Sequence, residues 1–132
     1  WSLANIGSVP VEKYADAVKG LNLPSFDKDD VEDYIRKSGG IIIAAKNCTN
    51  YAIGVTTATL CEALMYKTDT VLTISTMMNG EYGINDVCLS IPAVVSRNGI
   101  ASRIIAPLTD DEIAKLRHSA DCLKDVIKQL TF

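Results

Sequence analysis

Histidine is nearly missing from this chain of 132 residues, with His118 the single example. Aromatic residues make up 6%, and 13 basic against 16 acidic side chains leave a formal charge of −3. A nucleic-acid groove needs a basic face and stacking rings, so that class is excluded. No C-x-x-C occurs among Cys48, Cys61, Cys88 and Cys122, which removes zinc-ribbon and thioredoxin readings. G-x-G-x-x-G and G-x-x-x-x-G-K-[ST] are also absent, so no phosphate cradle is encoded. Gly80-x-x-Gly83 is too short for one and reads as turn punctuation. No apolar run approaches the eighteen or so residues of a membrane span, and none makes a complete signal peptide. The acidic run Asp27–Asp30 lacks the alternating ligands and glycine of a calcium loop.

What is present is a core. Hydrophobic residues make up 48% and charged residues 22%, which excludes disorder and fits one domain. A mean hydropathy of +0.15 is high for so short a chain and implies that a partner covers part of its surface. The cysteines are expected to be reduced, mostly buried thiols in a cytosolic protein. The chain opens directly on Trp1 in a strand-like alternation, as though cut from something longer.

Residues 1–12 read as two short strands about Gly7-Ser8. Residues 19–30 read as a loop through Pro24 and Ser25, ending in Asp27–Asp30, where carboxylates favour a helix start. Helical spacing follows through Val31, Tyr34, Ile35, Ile41, Ile42 and Ala45, with an interruption expected at Gly39-Gly40. The helical stretch 50–66 carries one charge, Glu62. One of its faces holds Ile53, Leu60 and Leu64, the other Ala52, Val55, Thr59 and Ala63. A helix without a charged face is usually covered on both sides, here in part by another chain.

Three β-branched segments follow, Val71–Met78, Asp86–Val95 and Ile100–Ala106, split by Asn79-Gly80 and Asn98-Gly99. Asn-Gly favours hairpins because both residues accept positive φ. Thr109 and Glu112 form a capping box, opening a helix with the stripe Ile113, Leu116, Ala120, Leu123, Ile127 and Leu130. The fold class is α+β, helices packed on an antiparallel β-meander. His118 lies off the stripe and reads as a solvated residue rather than a general base.

Four stretches in this order resemble one family: Cys48-Thr49-Asn50-Tyr51-Ala52-Ile53-Gly54, Val71-Leu72-Thr73-Ile74-Ser75-Thr76, Asn79-Gly80-Glu81-Tyr82-Gly83-Ile84, and Leu89-Ser90-Ile91-Pro92-Ala93 with Arg97-Asn98-Gly99-Ile100. They resemble the substrate-binding half of the L-lactate/malate dehydrogenase family, its lactate dehydrogenase branch best. Trp1–Gly7 is similar to the segment after that family's catalytic G-E-H-G. Gly40 departs from the pattern, where a larger residue is common.

The resemblance implies that residues 1–132 are a C-terminal substrate-binding and oligomerisation domain, without the N-terminal NAD-binding domain. It places Thr49 at the substrate, a small 2-keto or 2-hydroxy acid, because a hydroxyl beside a small apolar pocket can orient such an acid. It places Ile53 under the nicotinamide of NAD, one helical turn on. The family's catalytic histidine, its carboxylate partner, the arginine that holds the substrate and the mobile loop have no counterpart in these residues. The implied parent is a cytoplasmic homotetramer of pyruvate fermentation and glycolysis, with helix 50–66 at a subunit interface and the fragment inactive alone. Alternatives are a malate or branched 2-hydroxy-acid dehydrogenase, and a non-enzymatic α+β interaction or ligand-binding module.

Overall fold

The computed structural model describes residues 1–23, 27–66 and 69–130. The expected loop at Pro24 and Ser25 lies outside the described residues. The chain divides into two units, Trp1–Ala58 and Thr59–Phe132.

In the first unit, β1 (Asn5–Ile6) and β2 (Val9–Pro10) pair antiparallel, Asn5 opposite Pro10 and Ile6 opposite Val9. Gly7 and Ser8 between them both have positive φ, 56° and 69°. That is the backbone of a primed two-residue turn, which matches strand twist. Pro10 also precedes a short helix, α1 (Val11–Ala17), which the sequence reading did not separate from the strands. Lys28 joins α1 to the next helix through an ion pair with Glu12 and stands 5.8 Å from the centroid of the Trp1 ring. The Trp1 indole donates to Glu32 Oε1 at 2.5 Å.

Helix α2 (Lys28–Lys46) starts where the acidic run predicts: the Asp27 carboxylate accepts from the amides of Asp29 at 2.7 Å and Asp30 at 3.3 Å. The expected interruption at Gly39-Gly40 does not occur, and α2 runs through both. Each glycine costs roughly 1 kcal/mol against alanine. The cap, the opposed end charges and the i,i+4 pairs Glu32–Arg36 and Asp33–Lys37 offset that cost. Asn47, at φ 63°, ends the helix, and α3 (Tyr51–Met65) follows as a separate element.

In the second unit, β3 (Thr70–Asn79), β4 (Asn85–Ser96) and β5 (Gly99–Arg103) form an antiparallel meander in that order. Alternation turns Val87, Leu89, Ile91, Ala93 and Val95 inward and Cys88 and Ser90 outward. Helix α4 (Asp110–Lys128) lays Ala120 into the cluster of Met78, Ile84, Val87, Leu89 and Ile91, with Tyr82 and Leu116 against it. Its capping box is complete, Thr109 Oγ1 accepting from the Glu112 amide at 3.3 Å and Glu112 Oε2 from the Thr109 amide at 3.0 Å. The expected α+β architecture with a helix on the meander is therefore present.

Two expectations about this unit need correction. Only the first half of the α4 stripe is covered; Leu123, Ile127 and Leu130 are exposed. A 19-residue helix is about 28 Å long and extends beyond the sheet face that covers Ala120. The Asn-Gly pairs also do not form turns with two positive φ values. Gly80 takes φ 107° and Gly99 takes φ 96°, while neither asparagine is left-handed. Arg97-Asn98 makes the tight turn between the paired Ser96 and Gly99, with Gly99 as its one left-handed position, and the register irregularity of this hairpin lies further along, between Val94 and Val95. Asn79 to Asn85 is a longer loop containing a single 3-10 turn, Glu81–Gly83.

Candidate functional site

The two residues assigned by resemblance sit where α2 hands over to α3. The α3 ladder begins with the Gly54 amide donating to the Asn50 carbonyl at 2.9 Å, so Ile53 is in the first turn and Thr49 precedes the helix. A shared helical face is therefore not what relates them. Both are exposed, Ile53 at 66%, and the Thr49 hydroxyl has no protein hydrogen-bond partner among the described residues. Thr49 thus offers an available donor and acceptor, and Ile53, four residues on in sequence, an uncovered apolar side chain.

The rest of α3 offers no competing polar chemistry on its first turns. Thr56 and Thr57 return their hydroxyls to the carbonyls of Ala52 and Ile53 at 3.0 and 2.8 Å, the helix-internal bond expected of threonine. Lys46 donates to Asn50 Oδ1 at 3.0 Å and stands 4.1 Å from the Tyr51 ring centroid, which ties the end of α2 to the start of α3. Within the chain only Ala63 of α3 is buried. The two-sided cover expected from its composition is not supplied by the described residues, among which Ala63 belongs to the core rather than to an outward face.

A second polar cluster lies on the sheet. Thr76 is the one buried polar side chain among the described residues. Its Oγ1 accepts from Arg103 Nε at 3.4 Å and Nη2 at 3.3 Å, and Arg103 lies 3.6 Å from Glu81 Oε1. The Asn79 amide, 2.6 Å from Glu81 Oε2, is the main cause that holds this carboxyl below the usual carboxylate range. The Glu81 amide and Arg103 add to the effect. The reading of Gly80-x-x-Gly83 as turn punctuation missed this cluster. Its only sequence signal was a threonine at an inward position of β3.

His118 is exposed, as expected, and the structure adds a neighbour: its Nε2 is 3.7 Å from Cys122 Sγ. The expectation of buried thiols is overturned. All four cysteines are free and exposed, because Cys88 takes the outward side of β4, Cys61 lies on the open α3, Cys48 in the α2–α3 link and Cys122 on the outer face of α4. No helix among the described residues is long and apolar enough to cross a membrane.

Comparison with known proteins extends this picture. Residues 1–131 match the description of the lactate/malate dehydrogenase α/β C-terminal domain. L-lactate dehydrogenase of Thermoanaerobacterium saccharolyticum is 38% identical over 130 residues, 98% of this chain and 42% of that protein. L-lactate dehydrogenase 2 of Clostridium acetobutylicum is also 38% identical, over 98% of this chain and 40% of its own length. Among solved structures, the minor L-lactate dehydrogenase of Enterococcus mundtii in a ligand-bound form superposes with a TM-score of 0.84 at 29% identity, over all of this chain and 41% of its own. A malate dehydrogenase of Archaeoglobus fulgidus in complex with NADH reaches 0.76 at 30% identity, over 83% of this chain and 37% of its own. The chain thus spans about two fifths of the length of these relatives. By sequence and by fold, it belongs to the lactate/malate dehydrogenase family and corresponds to that family's α/β C-terminal domain.

Proposed function

We propose that residues 1–132 are the substrate-binding and oligomerisation domain of an NAD-dependent L-lactate dehydrogenase, a cytoplasmic enzyme of pyruvate fermentation. The observation that carries this reading is the 38% identity to L-lactate dehydrogenases across 98% of the chain. Malate dehydrogenase is the second reading, favoured by the 0.76 superposition.

The residues at the start of α3 fit the two partners of such a reaction. Ile53 presents apolar surface suited to one face of a nicotinamide ring, where it excludes water. Thr49 presents a hydroxyl that can bond a 2-keto acid beside that surface, fixing its orientation. NAD, when bound, supplies or accepts the hydride. Proton transfer and the grip on the substrate carboxylate are assigned to groups of the parent enzyme outside these residues. His118, exposed on α4, is not given the proton-transfer role.

The test is turnover with NADH by the parent enzyme and by this chain alone, pyruvate and oxaloacetate being offered separately. The expected result is a parent that prefers pyruvate and a 132-residue chain with no turnover. Preference for oxaloacetate selects the malate reading. Activity of the chain alone, free of host enzyme, refutes the assignment of proton transfer outside residues 1–132.

A further inference from the structure

We infer that His118 and Cys122 form a two-point chelate for a thiophilic cation, Zn²⁺ in the first place, on the outer face of α4. The residues are four apart, so one helical turn stacks them on the same side. Their ring nitrogen and sulfur meet at 3.7 Å. As a thiol–imidazole hydrogen bond this is long. As a pair of zinc ligands it is well matched: Zn–N of about 2.1 Å and Zn–S of about 2.3 Å in tetrahedral geometry place N and S about 3.6 Å apart.

The donor set also selects the metal class. One imidazole and one thiolate favour zinc or copper over magnesium or calcium, which require oxygen. Both side chains are exposed, so a hydrated ion can reach them without opening the fold. Around the pair, Asp121 lies between the two ligands in sequence, while Lys115, one turn before His118, and Asp125, one turn beyond Cys122, are each held in an ion pair, with Asp111 at 2.7 Å and Lys128 at 2.9 Å. Arg117, the adjacent cation, is committed to the Tyr82 carbonyl at 2.8 Å. Among the described residues no third histidine, cysteine or carboxylate completes a set, so two positions on the ion remain for water. On binding, the Cys122 thiol gives its proton to solvent and the Zn–S bond forms; nothing is oxidised or reduced.

The experiment is alkylation of the protein by iodoacetamide with and without Zn²⁺ at micromolar concentration, each cysteine being followed by peptide mass spectrometry. A metal-bound thiolate is withdrawn from alkylation, so Cys122 should slow roughly tenfold, while the exposed Cys48, Cys61 and Cys88 keep their rates as internal controls. His118→Ala should abolish the protection, and His118→Cys should restore it with two sulfur ligands. Equal slowing at all four cysteines, no slowing at Cys122, or protection that survives His118→Ala overturns the proposal.

Discussion

Arg117 of α4 donates from Nε to the carbonyl of Tyr82 at 2.8 Å, and Tyr82 is held left-handed at φ 52°. This bond clamps the helix to the loop that joins β3 and β4. Tyr82 answers with its hydroxyl, which donates to the Ala106 carbonyl at 3.0 Å. Because the loop carries Glu81, and Glu81 lies 3.6 Å from Arg103, which itself donates to Thr76, the same clamp positions the polar cluster on the sheet.

Gly83→Ala tests the clamp. Gly83 has φ 75°, and an added Cβ would lie 3.1 Å from Arg117 Nη2. The left-handed backbone alone costs about 1–2 kcal/mol for a residue with a side chain, and the arginine must also shift. Urea denaturation should show a loss of that size. An unchanged midpoint would mean that the loop takes another backbone in solution.

The opposite sign is expected at Gly39 and Gly40. Both lie inside α2, and a Cβ at either meets nothing within 4 Å. Replacing each with alanine should stabilise by roughly 0.8–1 kcal/mol, the propensity difference at an open helical site. A fall in melting temperature for either variant would show that the glycine is needed for a close approach.

The contrast between these glycines shows what was legible in the sequence. Elements set by local chemistry were read correctly: the helix start at Asp27–Asp30, the Thr109–Glu112 box, the three strands and the Gly7-Ser8 turn. Errors arose where a local cost met a longer-range gain, as when a capped 19-residue helix absorbed Gly39-Gly40. The cysteines were misjudged because composition says that thiols tend to be buried but not which side of a strand they take. At Thr49 and Ile53, spacing alone gave no site. Only the family resemblance singled them out, and their helix-face relation was assumed one residue too early.

Acid should unfold the loop of Glu81 in a predictable direction. Its folded pKa lies below the ordinary value of 4.5, first because of the Asn79 amide and then its own amide and Arg103. A depressed carboxyl contributes stability that is fully present above about pH 4.5 and is lost as pH falls through the lower folded value. Glu81→Gln should therefore flatten stability against pH below about 4.5, with a smaller change in slope above it. Parallel curves for the protein and the variant would remove Glu81 from the acid limb.

Val55 is the sharper probe of helix α3 as a subunit interface, since Ala63 is buried in the chain and Val55 is 68% exposed. If α3 is covered by a second copy in the parent enzyme, Val55→Glu places an unpaired carboxylate in an apolar contact, at a cost of several kcal/mol. Sedimentation of the parent enzyme should then shift toward smaller species on dilution. An oligomer that persists with the same dissociation profile would place the interface elsewhere.

Thr49 and Ile53 can be separated from the fold because both are exposed in this chain. If Ile53 lies under the nicotinamide of the parent enzyme, as proposed, Ile53→Asn places an amide there with no assured partner, and such a group costs about 1–3 kcal/mol once desolvated. NADH affinity should fall roughly tenfold to a hundredfold, with little change in melting temperature, because no core contact is lost. Thr49→Val keeps the volume and removes the hydroxyl, so kcat/KM for pyruvate should fall while NADH binding holds. The measurements are NADH dissociation constants, kcat/KM and melting temperatures for both variants. Loss of stability with binding and turnover per folded molecule intact would make these residues structural and displace the site from the start of α3. A fall in NADH affinity for Thr49→Val equal to that for Ile53→Asn would show instead that the hydroxyl serves the cofactor, and would exchange the two assignments.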